Sequence, residues 1–218
     1  MPDRKALCLV SGGLEEIGPT DRLLLPGDPD FDLHAASKQY VDRRFGNDLD
    51  VGEEIFPRDS LSSSGQATTT QTLRLSYFTA RKTETTTQVR FSTGSAAAGA
   101  TPTLVRVGLY LIAASDNGTL VAGTANDTSL FASGSATYTR SWIASHAKVT
   151  GQRYALGVLV VTTAAAPTML GTIVALSAEL VIKTRITGAI GGQTDLPSSF
   201  LATAVGTSAS RPYGVILP

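Results

Sequence analysis

The chain of 218 residues holds one cysteine, one tryptophan and two histidines. A lone Cys8 excludes an intrachain disulfide, and no second thiol or histidine stands beside it at metal-ligand spacing. The histidines, His34 and His146, lie far apart in sequence, and neither has a neighbouring Asp, Glu or Cys pattern. Aromatic residues make up only 6% of the chain, so a core must be built from Val, Leu, Ile and Ala. No charge sign is in excess: 18 Lys and Arg balance 18 Asp and Glu. Nucleic-acid binding is disfavoured, because neutralising phosphates requires a basic surplus. Long apolar runs are absent too. The richest stretch, YALGVLVVTTAAAP, is too short and too rich in Thr for a membrane span, and the N-terminus lacks the apolar segment of a signal peptide. The expectation is folding in a cytoplasm without export. No G-x-S-x-G elbow, phosphate-binding loop or H-E-x-x-H pair occurs, so neither a catalytic residue nor a cofactor is assigned.

What is present is β grammar. In QTLRLSYFTA, Leu73, Leu75 and Tyr77 alternate with Thr72, Arg74 and Ser76, the period of a half-buried strand. TTTQVRFST repeats the pattern with Val89 and Phe91 inward, and LVRVGLYLIAA places Val105, Val107, Leu109 and Leu111 on one side. SDNG at 115–118 predicts a hairpin turn, with Asn-Gly supplying positive φ. GTLVAG, ATYTRSWIA, RYALGVLVV and TIVALSAELVIKTR complete about eight strands, separated by turn signals at sandwich-like intervals. The fold class expected is mainly β: a jelly-roll-like antiparallel β-sandwich preceded by a short N-terminal helix and an extended arm. Five zones follow. Residues 1–27 form an arm whose pieces ALCLV and DRLLLP read as two short strands. Residues 28–48 form the helix, and 49–70 a polar linker. Residues 71–187 form the sandwich, and 188–218 a Gly-, Ser- and Pro-rich tail in which YGVIL is a candidate edge strand.

The helix has recognisable ends. Asp32 is placed as its N-cap, Lys38, Arg43 and Arg44 favour its C-terminal half, and Gly46 and Asn47 are stop residues. About 13 residues are marginal alone in water, so the helix needs a partner. Leu33, Ala36 and Tyr40, with Val41 beside them, follow the 3–4 spacing of a coiled-coil seam. The helix either caps one end of the sandwich or packs against its own copies about a symmetry axis.

The string from Pro29 to Asp42, PDFDLHAASKQYVD, resembles the P-x-x-D-x-H-A-A-(T/S)-K-x-Y-V-D motif of tailed-bacteriophage tail and fibre proteins. Every signature position is met, and the preceding Leu24-Leu25-Pro26 matches the strand that commonly comes before it. The body from Thr69 to Arg185 is similar to a domain of actinobacterial-phage minor tail proteins and head fibres. LRLSYFTARKT, RVGLYLI and RYALGVLVV carry that second likeness. The resemblance implies a non-enzymatic structural protein of the virion, assembled in the host cytoplasm. It would be a minor tail protein, short fibre or spike, or else a head decoration fibre. It also implies a homotrimer, with Leu33, Ala36, Tyr40 and Val41 as the trimer joint and the N-terminal arm attached to other virion proteins. No nucleic-acid or membrane partner is implied.

An alternative function is a host-surface glycan-binding module. Sugars stack on aromatic faces, and Trp142 and Tyr138 are the candidate glycan-binding residues, with Tyr110 and Tyr213 as further aromatics open to exposure. Arg81 and Lys82, in TARKT, are placed at a turn, either solvated or paired to a neighbouring subunit. The acids Glu84, Asp116, Asp127 and Glu179 read as turn or exposed strand residues rather than a carboxylate pair for sugar hydrolysis. Asp28, Asp30 and Asp32 resemble the start of a calcium loop. The Gly needed at its sixth position is missing, however, and its twelfth is Gln39 in place of Glu, so no metal site is assigned.

Overall fold

The computed structural model describes residues 7–10, 13–16, 52–62, 66–94, 102–131, 134–163, 167–174 and 185–218. The expected helix at 28–48, with Asp32, Leu33, Ala36, Tyr40 and Val41, lies outside the described residues. So do DRLLLP and residues 175–184 of TIVALSAELVIKTR, Glu179 among them. The chain divides into two compact units, Met1–Arg44 and Phe45–Pro218. In the first, β1 (Leu7–Val10) pairs antiparallel with β2 (Gly13–Glu16). ALCLV thus forms the expected strand, with the segment just after Gly12 as its partner.

Among the described residues the second unit is mainly β. Its strands are β3 (Glu53–Glu54), β4 (Gln66–Ala67), β5 (Leu73–Thr79), β6 (Glu84–Ser92), β7 (Pro102–Ile112), β8 (Gly118–Gly123) and β9 (Thr137–Lys148). There follow β10 (Arg153–Thr162), β11 (Thr168–Met169), β12 (Gly171–Ile173), β13 (Thr187–Ile190), β14 (Ser199–Phe200), β15 (Ser210–Pro212) and β16 (Val215–Leu217). A six-stranded antiparallel sheet has the order β13-β5-β10-β7-β8-β14, and a four-stranded sheet the order β3-β16-β6-β9. The neighbours β5 and β10 in one sheet continue into the neighbours β6 and β9 in the other. This double arm turning from sheet to sheet is the wrap of a jelly roll. Backbone bonds tie the two turns together: Ala80 N–H donates to the Gln152 carbonyl, and Gly151 N–H to that of Ala80.

The alternation seen in sequence sets the layers. Val105, Val107 and Leu109 of β7, with Leu156, Val158 and Val160 of β10, face Val89, Phe91 and Ile216 of the smaller sheet in one buried cluster. Leu73, Leu75, Tyr77, Tyr110, Ile112, Ala155 and Leu159 point the other way into a second cluster. That cluster is closed by Ile190, Leu196, Phe200 and Val205. The expected tail at 188–218 is therefore part of the fold: it supplies β14 and most of β13, the two edge strands of the large sheet, and its Ile190, Leu196, Phe200 and Val205 cover that sheet's outer face. Its YGVIL segment is not an edge strand: β16 sits between β3 and β6. The expected linker is also part of the fold, since Glu53, Glu54, Ile55 and Phe56 are all buried. SDNG makes the expected β7–β8 hairpin, but positive φ falls on Asp116 (64°). Gly118 is needed for space instead, because a Cβ there would meet the Phe200 ring at 2.2 Å.

Candidate functional site

Register fixes a row of side chains across the smaller sheet. Val215 is paired with both Glu54 and Arg90, and Arg90 with Thr139, so these four share one face. Along β6 and β9 the same face carries a polar ladder. Gln88 Nε2 donates to Ser141 Oγ at 3.5 Å and Arg90 Nε to Thr139 Oγ1 at 3.2 Å, while the Ser92 and Thr137 hydroxyls are 2.9 Å apart. At one end of it a cavity of about 420 Å³ is bounded by Glu54, Arg58, Arg90, Ser92, Thr137 and Tyr213. That volume lies within the range of small-molecule sites.

Glu54 is 3% exposed; among the described residues its carboxylate has no well-aligned hydrogen-bond donor, although the Arg58 guanidinium lies against Oε1 as an ion pair and the Tyr213 hydroxyl interacts with it. The four-residue spacing from Glu54 to Arg58, through a short 3-10 turn at Arg58–Ser60, brings the two together. Arg58 Nε also donates to Tyr213 Oη at 3.3 Å. Burial pushes the Tyr213 hydroxyl up to about 12, against the opposing pull of the Arg58 bond. That same bond, with a contribution from Glu54, raises the Arg58 guanidinium above its usual range. Tyr213 therefore stays neutral and can give or accept a hydrogen bond. Arg90 spends only Nε on Thr139, and its two terminal nitrogens have no partner among the described residues. The cavity thus offers a buried acceptor, a fork of free donors and three hydroxyls.

A second charged cluster is fully consumed by the fold. Lys148, with no exposed surface, contacts Glu53 and lies 2.9 Å from Glu84 Oε1. Arg81 donates its backbone N–H to Glu53 Oε1 at 2.7 Å and a guanidinium N–H to the Glu54 carbonyl at 2.6 Å. Lys82 pairs with Glu84 at 2.7 Å. Arg81 and Lys82 are therefore held within the chain, and the cluster fastens β3, β6 and β9 at one end of the sheet. A shallow depression near the β7–β8 turn is likewise closed internally, by the ion pair of Asp116 with Arg153. Asp127 is paired too, with Arg140 Nε at 2.6 Å.

The aromatic candidates are corrected. Trp142 is 6% exposed and its indole N–H donates to Thr86 Oγ1 at 2.9 Å, so no ring face is open to a sugar. Tyr138 is half-buried, its ring centroid 6.0 Å from that of Phe91 and the Arg140 guanidinium 5.3 Å from its centre. Tyr110 and Tyr213 are buried as well. The trimer joint and cap residues fall outside the described residues. Glu54, Arg58 and Arg90 carried no motif, and the one available signal was the four-residue Glu-Arg spacing inside EEIFPRD. No protein-family model matches the chain, and no curated protein matches it significantly.

Proposed function

We propose that the chain is a non-enzymatic structural component of a tailed-phage virion: a minor tail protein, short fibre or spike, working as a homotrimer. The observation that carries this reading is the string Pro29–Asp42, which meets every signature position of the tail-fibre motif just ahead of an all-β unit. The fold is in keeping with such a role. Both faces of the large sheet are covered, and the cluster of Glu53, Glu84, Arg81 and Lys148 fastens strands of the smaller one. In this reading Leu33, Ala36, Tyr40 and Val41 align three chains, and the N-terminal arm attaches them to other virion proteins.

Light scattering on the full chain tests it. The expected mass is about three times 22.7 kDa for the native protein, the trimer that the resemblance implies. Tyr40→Asp with Val41→Asp is expected to give monomers or aggregates. A native monomer would sink the joint, and a double variant that stays trimeric would place assembly elsewhere. A second reading, a host-surface binding module on the same particle, is favoured by the cavity beside Glu54 and Arg90. The two readings are compatible in one molecule.

A further inference from the structure

We infer that the cavity bounded by Glu54, Arg90 and Tyr213 binds an acidic saccharide: a polyhydroxylated ring carrying one anionic group. The inference deepens the second reading above and is independent of the trimer.

Three charges line the cavity: Glu54, Arg58 and Arg90. Arg58 is already the ion partner of Glu54, which leaves Arg90 as the uncompensated cation. Its terminal nitrogens form a planar fork suited to bidentate contact with a carboxylate or phosphate. Glu54 plays a different part: its buried carboxylate is spent on Arg58, and the pair holds Tyr213 at the cavity wall. The Ser92, Thr137 and Tyr213 hydroxyls can each donate or accept, so they match ring hydroxyls without a fixed polarity. Leu61 and Leu170 line the same cavity and offer apolar contact to the C–H face of a ring. A neutral sugar would leave Arg90 unanswered, and a bare anion would leave the hydroxyls so. Only a ligand with both chemistries answers all the groups present.

The test is saturation-transfer NMR on the full chain with four probes: glucuronate, glucose 6-phosphate, glucose and inorganic phosphate. Saturable binding is expected for at least one acidic sugar, and the better of the two identifies the anion as carboxylate or phosphate. Glucose and inorganic phosphate should bind about tenfold more weakly or worse, the equivalent of one lost charged hydrogen bond. Arg90→Gln, at a half-buried surface position, should weaken the acidic sugar by a similar factor. Tyr213→Phe should weaken it less, and Ile143→Ser, at an exposed side chain outside the cavity, not at all. No saturable binding of either acidic sugar would overturn the inference. So would equal binding of glucose or of inorganic phosphate, or an Arg90→Gln variant that binds like the native chain. A trimer that binds none of the probes would sink this inference alone, and a monomer that binds would sink only the trimeric joint.

Discussion

Tyr110 occupies space that two glycines leave open. Gly108 and Gly157 face each other across β7 and β10, and a Cβ on Gly157 would come within 2.8 Å of the Tyr110 ring. The ring fits, yet its hydroxyl is buried without a hydrogen-bond partner among the described residues, and burial drives its ionisation well above the usual tyrosine range. Tyr110→Phe removes an unsatisfied group and keeps the ring. The expected outcome is a gain of about 1 kcal/mol, read as a rise in Tm; a fall would mean that the hydroxyl is satisfied after all. Gly118→Ala should do the reverse. Its methyl would strike the Phe200 ring, and the expected loss is about 1–3 kcal/mol in thermal unfolding. At His146, burial lowers the imidazole's proton affinity, and Tyr154 Oη lies 3.3 Å from Nε2. A folded-state value below the unfolded one means that the unfolded chain binds the proton better. Stability from this residue is therefore present above the ordinary histidine range and declines as pH falls through and below it. His146→Gln should flatten that slope in urea unfolding measured between about pH 7 and pH 5.

At the scale of elements, charge holds the smaller sheet where apolar area is thin. β3 has only two residues, both glutamates, and both are buried. Lys148→Ala would leave Glu53 without its closest cation, an expected loss of about 3–5 kcal/mol. Lys82→Ala, at the rim of the same cluster, should cost under about 1 kcal/mol. Equal effects in denaturant titrations would show that burial does not set the strength of this cluster. Sequence made the long strands legible because alternation is local: Leu73, Leu75 and Tyr77 do share a face, as do Val105, Val107 and Leu109. It hid β3, because the partners that make Glu53 tolerable lie 28 and 95 residues away in Arg81 and Lys148. The role of residues 188–218 was hidden by composition, since this turn-rich segment contributes few apolar anchors. Trp142 misled for a different reason. Trp142 keeps the two-residue period of Tyr138 and Arg140, on the face of Val89 and Phe91, and is bridged to Thr124. Its burial therefore depends on what covers that face, which the alternation by itself does not tell, while Ile143 beside it is 69% exposed. The candidate cavity was equally unreadable, being assembled from β3, β6, β9 and the segment around Tyr213.

Taken whole, the second unit is closed by its last residues. β3 has no strand partner except β16 among the described residues, and Thr86 Oγ1 donates to the Leu217 carbonyl at 2.8 Å. A chain stopped at Pro212 loses the strand between β3 and β6, and with it the buried Val215, Ile216 and Leu217. It is expected to show no cooperative thermal transition; a sharp melt would mean that the rest of the sheet closes unaided. Such non-local pairing also delays folding, because distant segments must meet before their contacts repay the loop they close. During synthesis, β3 leaves the ribosome long before β16 exists, and at ordinary elongation rates it waits for about ten seconds or more. For that interval Glu53 and Glu54 have no strand to lie against, and the four-stranded sheet is open through its middle. The N-terminal segments emerge earlier still. In the proposed trimer, this order of emergence would let alignment of subunits precede completion of any one sandwich.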